Sequence, residues 1–237
     1  MGVNRRMGAL PEDPRSYEDA TRRHYQDEAV AREYHAQFTT RLSLRTFSHV
    51  LVARAEQRTV RRLLANRRDE AALALDVPCG TGKLVSVLGD LALPTIGGDI
   101  SRPMMGIARA GARAVGASWQ FVQLDITQLP FPSSAFDEVI CLRLLHRVPQ
   151  AIKMAALREL GRVSRRHLLV SYGVSNPWHR VRQRLRRLVS RGNSIPYPIS
   201  RRSADALFRD LGWRVAMRLS PLPVLSAEEM VLLVRLD

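Results

Sequence analysis

The chain has 237 residues, 46% of them hydrophobic, enough to bury a full core in one domain with helical additions. Its net charge is +15, carried almost wholly by arginine, since lysine occurs only at Lys83 and Lys153. No apolar run reaches the roughly 20 residues that span a bilayer, nothing apolar follows the basic start as a secretory signal requires, and Arg6 breaks the myristoylation pattern.

Residues 1–15 are polar and proline-containing and predict a loose segment. Ser16 followed by Asp19 is a helix-start signal, and a helix is expected from there to about Phe38. A second is expected from Leu44 to Ala65, closed by residues 66–70. Short apolar runs then alternate with helical patterns: strand 73–77, helix 82–91, strand 95–99, helix 103–114, strand 119–124, strand 137–142, helix 149–163 and strand 167–172. That alternation predicts a doubly wound, mainly parallel α/β sheet. Two terminal strands, 214–219 and 230–236, are separated by a short proline-broken segment and should pair antiparallel. The expected architecture is a seven-stranded sheet with an antiparallel C-terminal strand. Residues 1–70 form an N-terminal helical cap, and residues 71–237 form the core. A basic insertion at about 173–200 interrupts the core. Within it Trp178 to Leu188 reads as a helix with Val181, Leu185 and Leu188 on one side, and eight arginines with no acid fall between Arg180 and Arg202. That helix is read either as a solvated face or as a cap whose arginines meet an anionic substrate or membrane surface.

The most informative stretch is Leu75-Asp76-Val77-Pro78-Cys79-Gly80-Thr81-Gly82-Lys83-Leu84. An apolar strand ends in an acid, passes through glycines and re-enters an apolar stretch at helical spacing, as strands do when they deliver a nucleotide-like ligand to a helix N-terminus. A phosphate-cradling P-loop needs a glycine five residues before Gly82 and Ser or Thr after Lys83; Val77 and Leu84 stand there. A dinucleotide fingerprint wants a third glycine three residues on, where Val85 stands. S-Adenosylmethionine has no phosphate to cradle and needs an acid at the next strand tip for its ribose hydroxyls. Asp99, seventeen residues beyond Gly82, supplies it, with charge-assisted bonds of about 1.5–3 kcal/mol each. A third strand ends in Asp125, and a fourth follows at 137–142.

With LDVPCGTGKL, GGDISRPMM, FVQLDITQLPF and SSAFDEVICLRLLHRV in this order over about residues 74–170, the chain resembles the class I, Rossmann-like S-adenosylmethionine-dependent methyltransferases, of the small-molecule type seen in quinone biosynthesis. The resemblance implies that Asp76, Gly80 and Gly82 line the methionine end of the cofactor and that Asp99 meets its ribose. Ile100 and Met104 would flank the adenine, Asp125 and Ile126 would meet its edge, and Leu142 and Arg143 would sit beside the sulfonium. Pro78 stands where the family has its first glycine, so that position keeps a negative φ and offers no N–H.

Methyl transfer needs acceptor and methyl held in line and dry, and a protic acceptor gains from a base. His146, four residues past the fourth strand, is the candidate base; its alternative is a packing or capping histidine. Arg143 is a candidate binder of a substrate anion, or a partner for an acid such as Asp76. Tyr34, His35 and Tyr172 are weaker pocket candidates, and Lys83 reads as a solvated residue. No metal site is expected, and Cys79 and Cys141 suggest neither zinc nor a disulfide, so a reducing cytoplasm is expected. The expected function is methylation of a small-molecule O- or C-acceptor of anionic or lipid-like character. An RNA methyltransferase using the basic surface, with nucleic acid as partner, is less favoured, because the fourth strand lacks an Asn/Asp-Pro-Pro-aromatic motif. A methyltransferase-like partner protein without activity is the third reading.

Overall fold

The computed structural model describes residues 27–39, 44–65, 72–174, 197–221 and 228–236. The expected helix start at Ser16, the 66–70 closure and the Trp178–Leu188 helix lie outside them. Two helices come first, α1 (Glu28–Thr39) and α2 (Leu44–Leu64). The alternating part follows as β1 (Ala74–Asp76), α3 (Val85–Asp90), β2 (Thr95–Asp99), α4 (Arg102–Ala114), β3 (Trp119–Gln123) and β4 (Phe136–Cys141). It continues with α5 (Gln150–Val163), β5 (Ser164–Gly173), α6 (Arg201–Asp210), β6 (Trp213–Leu219) and β7 (Glu228–Arg235).

The seven strands form one sheet in the order β3-β2-β1-β4-β5-β7-β6. Strands β1 to β5 pair in parallel, and β7 runs antiparallel to both β5 and β6. The expected α/β architecture is therefore the observed one. Alternation of side chains splits the central strands between two cores. Val139, Cys141, Leu168 and Val170 face Leu157 and Leu160 of α5 and Phe208 of α6. Ile140 and Leu169 face Val60, Leu63 and Leu64 of α2 and Val87 and Leu88 of α3. Strand β4 is buried along its whole length; its Val139–Cys141 half reads as an apolar run, and its acids Asp137 and Glu138 are buried against Arg165, Arg166 and His167.

Helix α4 forms because Met104, Met105, Ala108 and Ala112 fall on one buried face. Ser101 caps it, its Oγ accepting from the Met104 N–H at 3.3 Å. Helix α6 is an element the sequence reading lacked. Its signals are Ser200 as N-cap, accepting from the Ser203 N–H at 3.0 Å, buried Ala204 and Phe208, and Gly212 at φ +83° just past its end. Strand β5 starts at Ser164 rather than at His167. The polar Ser-Arg-Arg start is held by pairing of Ser164 with Phe136 and by the ion pairs of Arg165 and Arg166 with Asp137. Strand β7 starts at two acids, Glu228 and Glu229, both buried. Ser171 donates to Glu228, and Tyr172, Arg201 and Arg218 hold Glu229. Acids that would mark a turn on a surface strand here have internal partners.

Candidate cofactor and acceptor cleft

The order of the strands reverses around β1, whose neighbours are β2 on one side and β4 on the other. In open α/β sheets ligands bind outside the carboxyl ends of the strands at such a point. A cavity of about 160 Å³ opens there, lined from the tips of β1, β2 and β4 and from α1 and α2.

The floor is built by the β1 turn. The Val77–Pro78 peptide is cis, and Gly80 and Gly82 take φ of +53° and +79°, values that side-chain-bearing residues rarely adopt. A Cβ on Gly82 would come within 3.0 Å of Ala108 and Val85, whereas at Gly80 it would meet nothing within 4 Å. Gly82 therefore lets α4 pack against the turn, and Gly80 leaves the backbone open to the cleft. The Asp99 carboxylate ties the two strand tips together: Oδ2 accepts from the Gly80 N–H and Oδ1 from the Ser101 N–H, both at 2.8 Å. Burial pushes Asp99 up from the ordinary carboxylate range, against the pull of the Ser101, Gly80 and Ile100 N–H groups.

Asp76, at the neighbouring tip, is buried and lines the same cavity. Burial, and then the charge of Asp99, push it well above the usual carboxylate range. No described side chain or backbone group bonds its carboxylate, so the floor carries two adjacent buried acids without a cation between them.

The cationic groups lie elsewhere on the lining. Lys83 is not a solvated residue: its Nζ donates to the Tyr34 hydroxyl oxygen at 3.3 Å and sits 4.9 Å from the Tyr34 ring centroid. Its carbonyl accepts from Gln57 at 2.7 Å. Burial, opposed mainly by Tyr34, holds the Lys83 pKa down at about 8. Burial raises the Tyr34 phenol, but Lys83, Arg143 and Arg147 outweigh it and leave it below its ordinary value. Arg143 takes φ +62°, and its N–H donates to Ser171 Oγ at 2.7 Å. Its guanidinium pairs with Glu56, Nε to Oε1 at 3.6 Å, rather than with Asp76. Burial opposes the Arg143 charge, and Glu56, Tyr34 and Glu228 more than restore it. Glu56 is itself raised by burial.

Of the residues singled out in the sequence, Asp76, Pro78, Gly80, Asp99, Ile100, Met104, Leu142 and Arg143 line one cavity together with Tyr34 and Lys83. Gly82 stands behind its turn. Asp125 and Ile126 sit one strand further out, beyond β3, and are not among the lining residues. Asp125 Oδ1 accepts from the Thr127 N–H and hydroxyl, and Ile126 packs against the core. His146 does not line the cavity either. It is buried, its Nδ1 has no hydrogen-bond partner among the described residues, and burial lowers its pKa to about 4. Tyr172 is buried against Glu229, its hydroxyl donating at 3.1 Å. Sequence reading missed Glu56, Gln57 and Arg147. Glu56 is the lone acid of the basic helix α2, on the buried face with Ala53 and Val60, and that isolation was the available signal.

A family model described as a methyltransferase domain matches residues 74–167, which span β1 to β5 and include the β1 and β2 tips and Arg143. Residues 74–167 are thus similar to a methyltransferase domain. Over 67 residues the chain is 42% identical to a demethylmenaquinone methyltransferase of Thermus thermophilus, covering 27% of this chain and 30% of that protein. Over 113 residues it is 31% identical to a magnesium-protoporphyrin O-methyltransferase of Synechocystis, covering 46% and 48%. The matches thus span about a third to a half of these curated relatives. The crystal structure of the Synechocystis magnesium protoporphyrin IX methyltransferase with bound S-adenosylhomocysteine superposes with a TM-score of 0.78 at 20% identity, over 92% of this chain and 99% of that one. The likeness in fold therefore extends beyond the matched methyltransferase domain, to the helices before it and the strands after it.

Proposed function

We propose that the chain transfers a methyl group from S-adenosylmethionine to a small-molecule oxygen or carbon acceptor that carries an anionic group or forms one as it loses its proton. The observation that carries this reading is the pair of buried carboxylates on adjacent strand tips. Among the described residues Asp76 has no cation of its own, and it suits the ammonium of a methionyl group. Asp99 already clasps the glycine turn, and the remaining lone pairs of its carboxyl oxygens can accept from ribose hydroxyls. Ile100 and Met104 offer the adenine an apolar slot, and the Gly80 backbone leaves room for the chain between. Leu142 and Arg143 stand beside the sulfonium. When bound, the cofactor supplies an electrophilic methyl and its own leaving group.

The protein's part is to orient the acceptor and keep water out. Helices α1 and α2 serve as a cover, contributing Tyr34, Glu56 and Gln57 to the cleft, while residues 71–237 form the core beneath. Arg143 and Arg147 bind the acceptor's anionic group; an arginine remains charged at any working pH and meets a carboxylate or phosphate through two parallel bonds. The relatives named as acting on demethylmenaquinone and on magnesium protoporphyrin supply two acceptors to try. Calorimetry with S-adenosylhomocysteine tests the cofactor half, and transfer of tritium from labelled S-adenosylmethionine to these two acceptors tests the rest. Absence of binding and of transfer would remove the proposal.

A further inference from the structure

Two of the chain's 37 basic residues are lysines. Arginine cannot give up its proton at working pH, and lysine can, so a lysine in a cleft of an arginine-dominated chain offers chemistry its arginines lack. Lys153 is bonded to the Tyr197 carbonyl at 3.4 Å and lies away from the cleft. Lys83 lines the cleft with its Nζ on the Tyr34 hydroxyl. Arg143 and Arg147 line the same wall, and Glu56 faces them from α2.

Building on the methyl-transfer reading above, we propose that Tyr34 and Lys83 act as one proton acceptor for the reacting group of the acceptor. They would select acceptors that react through a weakly acidic hydroxyl or carbon acid over carboxylates that are already ionised. The geometry supports this in three ways. The lysine donates to the phenol oxygen, so loss of one proton leaves either a phenolate beside an ammonium or a phenol beside an amine, both neutral overall. The guanidinium groups of Arg143 and Arg147 favour the state that lacks the proton, and the lowered values of both members of the pair agree. Histidine 146, the other base in this region, is buried away from the lining. The step balances: the acceptor's proton passes to the pair, its electron pair forms the bond to the methyl carbon, and the carbon–sulfur bond of the sulfonium breaks with its electrons on sulfur.

With two lysines in the sequence, protein labelled with carbon-13 at lysine Cε gives two side-chain signals, and Lys83→Arg assigns them. Among the described residues, the charged or titratable groups lining the cleft with Lys83 are Tyr34 from α1, Glu56 from α2, Cys79 in the β1 turn, Arg143 and Arg147 after β4, and Asp76 and Asp99 on the floor. The Lys83 signal should titrate near pH 8, and lower still in Tyr34→Phe, because Tyr34 is the group that holds the ammonium charged. Titration in the ordinary lysine range, near 10.4, and unmoved by Tyr34→Phe, would overturn the proposal. With reduced demethylmenaquinone as probe, turnover should rise with pH through the same region. Lys83→Arg keeps the charge and should lower kcat about 10²–10⁴-fold and flatten that rise, with S-adenosylhomocysteine affinity within a few-fold of the parent protein. Unchanged kcat and pH profile in Lys83→Arg, or methylation of magnesium protoporphyrin with none of the quinol, would also overturn it. If S-adenosylhomocysteine does not bind, the methyltransferase reading has failed; in that case, or if neither probe is methylated, the Lys83 titration alone decides whether the proton-accepting pair exists.

Discussion

Acidification should weaken the fold through one residue whose contribution can be isolated. His146 is buried, and burial lowers its pKa from 6.5 to about 4. Glu228 opposes that shift, while Arg147, Arg143 and Lys153 add to it. A group depressed in the folded state contributes stability that is complete above its unfolded pKa and is lost as pH falls through the folded value. The window here runs from about pH 6.5 down to about 4. At about 1.36 kcal/mol per pH unit, the loss is about 1.4 kcal/mol at pH 5.5 and about 3 kcal/mol at pH 4. That is a large share of the roughly 5–15 kcal/mol that holds a domain folded. Asp76 and Asp99 are raised and titrate with the opposite sign, so the parent protein alone would not show the effect cleanly. The comparison is with His146→Gln, which keeps a polar amide in the site and removes the titration. Urea unfolding followed by circular dichroism at about pH 7.5, 5.5 and 4 should show the parent losing about 3 kcal/mol more than the variant across the series. Parallel pH dependence in the two proteins would refute the burial of a neutral His146.

Other expectations follow from the same geometry. Gly82→Ala places a Cβ 3.0 Å from Ala108 and Val85 at φ +79°, so it should destabilise the fold by about 1–3 kcal/mol and weaken cofactor binding; thermal unfolding and calorimetry measure both. Trp213 is fully buried, stacked on Arg235 at 4.9 Å, and Trp213→Ala should cost about 3–5 kcal/mol in urea unfolding while leaving the cleft residues in place. Ser171→Ala removes the acceptor for the Arg143 N–H at a backbone position that costs about 1–3 kcal/mol to hold. It should raise KM for an anionic acceptor more than it changes S-adenosylhomocysteine affinity.

Much of the fold was legible because its signals are local. The strand-glycine-helix stretch at Asp76 to Leu84 and the acid at Asp99 carry their own spacing, and β4 and β5 each show a short apolar run, Val139–Leu142 and Leu168–Val170. Helix α6 was missed although Ala204, Leu207, Phe208 and Leu211 fall at helical spacing between its Ser200 cap and Gly212 stop; the arginine-rich run before it masked that stripe. The ends of β5 and β7 were misplaced because buried Ser164, Glu228 and Glu229 depend on partners distant in sequence, which no local window contains. The same limit applies to the cleft. Asp76 and Asp99 announce themselves at strand tips, but the Tyr34–Lys83 contact joins residues 49 apart, and the Arg143–Glu56 pair joins a loop to a helix on the far side of the first strand. His146 was placed correctly in the chain just after the fourth strand. Which way a side chain turns from such a loop is set by packing, and there it turned inward.

The proposed cofactor site rests on Asp99 at the tip of β2 holding the ribose and Asp76 at the tip of β1 holding the methionyl ammonium. Calorimetric titration of S-adenosylhomocysteine into the parent protein and into Asp99→Asn, which keeps the shape of the side chain but not its charge, tests this directly. The expected result is a single site in the parent that is weakened at least about tenfold in the variant, as loss of charge-assisted bonds of about 1.5–3 kcal/mol requires. No heat with the parent, or equal affinity in the two proteins, would contradict it.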